Sequence, residues 1–61
     1  MAIYRFPATV INGIISHVVA YDATILSMTP EQEQYVMELD IPISQEELVH
    51  LNEEYGLVEV V

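Results

Sequence analysis

YVMELDIPISQEELVHLNEEYG, residues 35–56, decides how this 61-residue chain folds. Tyr35, Met37, Leu39, Ile41 and Ile43 fall at every second position, and Gln34, Val36, Glu38, Asp40 and Pro42 take the alternate ones. Five apolar residues in period two predict a half-buried strand over 35–43. The pattern then changes period. Ser44-Gln45-Glu46-Glu47 has the form of a capping box, in which the serine hydroxyl accepts from the third helical N–H and the glutamate reaches back to Ser44. Leu48, Leu51 and Tyr55 follow at i, i+3 and i+7, a stripe that packs on the sheet, with Val49 beside it. Gly56 ends the run in the left-handed conformation that glycine adopts at least cost, and Leu57 can fold back on the last turn. The spacing predicts a strand passing directly into one helix, about 44–55.

Upstream, Ala2–Ile11 is rich in β-branched and aromatic residues, which suit a pleated surface. Pro7 lacks an N–H, so this strand is expected to lie at an edge or to break there. Asn12-Gly13 sits between Val10-Ile11 and Ile14-Ile15 and reads as a type I′ hairpin turn. Ile14–Tyr21 then returns as a second strand. Ile14, Val18, Tyr21 and Ile25 also fall at helical spacing, but the density of β-branched residues, which lose rotamer freedom in a helix, favours the strand. Asp22-Ala23 reads as a bend, Thr24–Met28 as extended, and Thr29-Pro30-Glu31-Gln32 as a tight turn. Leu57–Val61 is a closing strand. The expected fold is a single α+β domain over residues 1–61. A small, mostly antiparallel sheet, built from an N-terminal hairpin, strand 35–43 and a short C-terminal strand, carries one helix.

A chain of this length buries only about 60% of the surface its unfolded form exposes. No cysteine is available for a disulfide or a thiolate metal site, yet 52% of the residues are hydrophobic. Small size and surplus apolar residues point to a homodimer, with Val19 and Tyr21 as candidate interface residues. The longest apolar region, Ala8–Ala20, is broken by Asn12, Gly13, Ser16 and His17, which suits neither a membrane span nor a signal peptide. A cytoplasmic protein is the default expectation.

Charge is the most informative count. Ten Asp/Glu face one Arg and no Lys, for a net charge of −9. Residues 1–30 are neutral in sum through Arg5 and Asp22, so the whole excess lies in residues 31–61. Internal ion pairs cannot account for it, and mutual repulsion costs stability. Clustered carboxylates serve solubility or present an acidic surface to a basic protein. Direct contact with nucleic acid or an anionic membrane needs clustered Lys/Arg, which the chain lacks.

The candidate partner-binding residues are Glu38, Asp40, Glu46, Glu47, Glu53 and Glu54, with His50 and Tyr55 as rim contacts. Glu46 and Glu47 suit a helix start; Glu53 and Glu54 near its end cost about 0.3–1 kcal/mol each against the macrodipole. Such an uncompensated break of a local rule suggests a functional surface. Four carboxylates over nine residues span about 13 Å of helix axis, or about one charge per 3 Å. Duplex DNA carries one per ≈ 1.7 Å, so one helix reaches about half that density. Glu38, Asp40 or a second subunit would have to supply the rest.

No catalytic residue is assigned. Ser16-His17 would point to opposite faces of a strand and so could not act as nucleophile and base. His17 is read as a half-buried or interface histidine. Glu47-Leu48-Val49-His50 matches the Glu-x-x-His spacing of di-iron bundles, but that arrangement needs several inward-facing helices. No metal or cofactor is therefore assigned. The leading expectation is a non-enzymatic acidic interaction module that docks a basic, nucleic-acid-binding protein and inhibits it as a DNA mimic. The alternative is an accessory or oligomer-forming subunit held by the apolar N-terminal half.

Overall fold

The computed structural model describes residues 2–60. The elements run β1 (Ala2–Pro7), a 3-10 turn (Ala8–Val10), α1 (Ile11–Ala20), β2 (Ile25–Glu31), β3 (Gln34–Leu39), α2 (Gln45–Tyr55) and β4 (Val58–Glu59). The sheet order is β2-β3-β1-β4, and every neighbouring pair is antiparallel. Two split β-α-β units interlock, since β3 lies between β1 and β2, and β1 lies between β3 and β4. This is the ferredoxin-like topology, which by itself implies no function.

The expected α+β architecture is present, with two helices rather than one. The N-terminal hairpin is not formed: Asn12 and Gly13 lie inside α1, and Ile14–Tyr21 is helical through Ala20. The helical spacing prevails because Ile14 and Val18, one turn apart, bury together over the sheet. Gly13 weakens a helix by about 1 kcal/mol relative to alanine, but a Cβ at this site would come within 2.9–3.0 Å of the Tyr55 ring. Glycine here lets α2 approach α1.

The C-terminus of α1 closes as a Schellman motif. Asp22 takes the left-handed conformation, its N–H donates to Val19, and the Ala23 N–H donates to Val18. β1 is central rather than an edge strand, and it ends at Pro7. The β2–β3 hairpin turns at Gln32-Glu33, two residues later than expected, with Gln32 at φ 55°. Pro30 is thus accommodated in an edge strand.

Strand 35–43 is shorter than its alternation implied: β3 stops at Leu39, and Ile41 is exposed. Its expected inner face holds, because Met37 and Leu39 are fully buried and Tyr35 stacks on Phe6. α2 forms where its signals place it, although of the capping box only the bond to the Ser44 hydroxyl is made. The Ser44 hydroxyl accepts from the Glu47 N–H at 3.4 Å, and Gly56 adopts φ 75°. β4 begins one residue after Leu57, which is buried in the core. The strand pairs with β1, and the Val60 N–H donates to the Ile3 carbonyl at 2.8 Å. Val61 of the expected closing strand lies outside the described residues.

Both helices cover one face of the sheet. Tyr4, Phe6, Ile14, Val18, Met37, Leu39, Leu51 and Leu57 form the core between the layers. The Tyr4 hydroxyl accepts from the Ile43 N–H at 2.9 Å, and the Asn52 side-chain amide donates to the Leu57 carbonyl at 3.0 Å. These two bonds pin both ends of α2. The other face of the sheet, with Ile3, Arg5, Val36 and Glu38, carries no helix.

Candidate functional site

The acidic residues do not gather into one patch. α2 holds the main group: Glu46, Glu53 and Glu54 are exposed, and Glu47 is half-buried beside the Ser44 cap. Their positions follow from packing. Leu51 is buried in the core, which turns the acids away from the sheet.

Glu38 and Asp40 do not join this group. Glu38 pairs across from Ile3 on the sheet face opposite both helices. Asp40 is occupied by the fold: its Oδ1 accepts from the Thr24 N–H at 2.7 Å, and its own N–H donates to the Thr24 carbonyl at 3.1 Å. The single arginine is also remote from α2. Arg5 extends from β1 on the open sheet face and reaches Glu31 at 3.2 Å. The carboxylates of α2 therefore have no Lys or Arg beside them.

Two hollows flank α2. One, toward α1, is lined by Tyr21, Ser44, Glu46, Glu47 and His50. The other, toward β4, is lined by Leu48, Val49, Asn52, Glu53, Leu57, Val58 and Glu59. Each sets carboxylates against an exposed aromatic or aliphatic side chain: Tyr21 in the first, Val49 in the second. Val19 is exposed on α1 and Tyr21 at its C-cap rather than on a strand, and Val19 is 64% accessible. Val49 and Glu59 were not among the residues expected from the sequence. The helical spacing sets Val49 beside the core stripe, and Glu59 lies in a different element.

Tyr55 is not a free rim contact. It is half-buried, stands over Gly13, and meets the edge of the His17 ring at 5.6 Å between centroids with a 71° interplanar angle. His50 Nε2 lies 3.5 Å from Glu54 Oε2, one turn along α2, and its ring centroid is 6.4 Å from that of His17. His17 thus faces α2, a position that follows from α1 being a helix. No helix among the described residues is long and apolar enough to cross a membrane.

Comparison with protein-family models, with curated proteins and with solved structures finds no match for this chain.

Proposed function

We propose that this chain is a non-enzymatic docking module that offers α2 and its two flanking hollows to a basic surface of a protein partner. The observation that carries this reading is the pairing pattern. The one arginine is engaged with Glu31 on the far sheet face, and Glu46, Glu47, Glu53 and Glu54 stand along α2 with no Lys or Arg to neutralise them. Carboxylates in that state repel one another, and a basic partner relieves the repulsion while gaining steering at long range. Tyr21 and Val49 supply anchors that charge alone lacks, as an interface needs apolar contacts inside a polar rim.

A nucleic-acid-binding protein is the partner class whose surface best complements this one, which makes the module a DNA-mimicking inhibitor. With Glu38 and Asp40 placed elsewhere, the charge density beyond α2 comes from Glu59 or from a second copy of the chain. Binding should weaken as salt rises, and Glu46/Glu47/Glu53/Glu54→Gln should abolish it without loss of helical circular dichroism. Equal affinity at low and high salt would refute the reading.

A second reading, an oligomer-forming subunit, is favoured by one observation. The open sheet face carries Ile3 and Val36 beside Val58 and Val60, the last two each 43% accessible.

A further inference from the structure

We propose that His17, His50 and Glu54 form a binding site for a divalent transition-metal ion, with zinc as the best-fitting species. The three side chains come from two helices, and their ligand atoms all lie within 4.8 Å of one another. His50 and Glu54 already stand 3.5 Å apart. Two ligands of one tetrahedral zinc, each at about 2.0–2.2 Å from the metal, are separated by about 3.3 Å. The remaining closure falls to His50 and Glu54, whose side chains are both 51% accessible and free to change rotamer.

His17 is the fixed wall of the site. Its Nδ1 lies 3.0 Å from the Gly13 carbonyl oxygen, which can only accept, so Nδ1 carries the proton and Nε2 keeps its lone pair. A backbone carbonyl holding the second ring nitrogen is the arrangement that orients metal-bound histidines. Tyr55 against the ring edge restrains it further.

The donor set selects the ion class. Two imidazoles and one carboxylate suit zinc and its neighbours, whereas calcium and magnesium take oxygen ligands. Three protein ligands leave a fourth position for water or for a group from a partner. A cation here also answers the puzzle of Glu54, which stands at the negative end of α2 with no Lys or Arg nearby. The site rests on geometry and shares His50 and Glu54 with the docking surface, whereas His17 belongs to the metal site alone, so His17→Gln separates the two roles.

The test is calorimetric titration of the full chain, stripped with chelator, with zinc chloride, alongside magnesium chloride. One zinc ion per chain is expected, with no comparable uptake of magnesium. Losing an orienting partner of a metal ligand costs about 10–100-fold in affinity, and His17→Gln or Glu54→Gln, each removing a ligand, should cost at least as much. Glu46→Gln and Glu53→Gln should leave affinity unchanged. NMR of the wild-type chain, which needs no variant to fold, should show the ring resonances of both His17 and His50 shifting together on zinc addition. Equal zinc affinity in His17→Gln and wild type, or zinc shifts confined to carboxylate residues, would overturn the proposal.

Discussion

Among the described residues, three carry backbone conformations that most side chains avoid, and only one of them is a glycine. Gly56 at φ 75° ends α2 at little cost. Asp22 at φ 61° does the same task for α1, and Gln32 at φ 55° turns the β2–β3 hairpin. Asp22 is exposed, and its N–H and that of Ala23 close the Schellman bonds whatever the side chain. Asp22→Gly should therefore raise unfolding free energy by about 0.5–1 kcal/mol, read as a higher urea midpoint. An unchanged or lower midpoint would mean that the aspartate side chain contributes something the backbone bonds do not. Gly13 illustrates the opposite case: its φ is ordinary, and its lack of a Cβ matters because the Tyr55 ring stands where one would be.

At the scale of elements, the two helices differ in how openly the sequence announces them. Every signal for α2 is local: Ser44 before it, Leu48, Leu51 and Tyr55 along it, Gly56 after it. Ser44→Ala should cost about 0.5–2 kcal/mol by chemical denaturation, since the Ser44 bond to Glu47 is the helix's side-chain cap. α1 has no such signals. Val10 stands at its cap position with no side chain to accept a bond, half of its residues are β-branched, and an Asn-Gly pair that elsewhere makes a hairpin lies in its first turn. Only the spacing of Ile14 and Val18 betrayed it, and burial over Met37 and Leu39 decided the outcome. The candidate site inherits this asymmetry. The acids of α2 share one element and were legible together. The approach of His17 to His50 required a second helix crossing the first, which a strand reading of Ile14–Tyr21 removed. Glu38 was grouped with α2 although its strand alternation set it opposite Met37. Once α2 covers the Met37 face, Glu38 must lie behind the sheet.

The whole molecule is a two-layer body with one layer missing a partner. A 61-residue chain with helices on one face leaves Ile3, Val36 and Val58 on the other, so a second copy has a surface to cover. If it does, light scattering after size exclusion should report the mass of two chains for the wild type and of one for Val58→Glu; a wild-type monomer would remove this second reading. The docking reading concerns the opposite layer, where four of the ten carboxylates stand along α2 with no Lys or Arg beside them. Its most direct test uses the immobilised chain to capture proteins from extracts of the encoding organism at low salt, followed by elution along a salt gradient. The wild type should retain a basic, nucleic-acid-binding protein that elutes as salt rises, and the Glu46/Glu47/Glu53/Glu54→Gln chain, still folded, should retain none. Retention of the same partner by both chains, or elution indifferent to salt, would contradict the account.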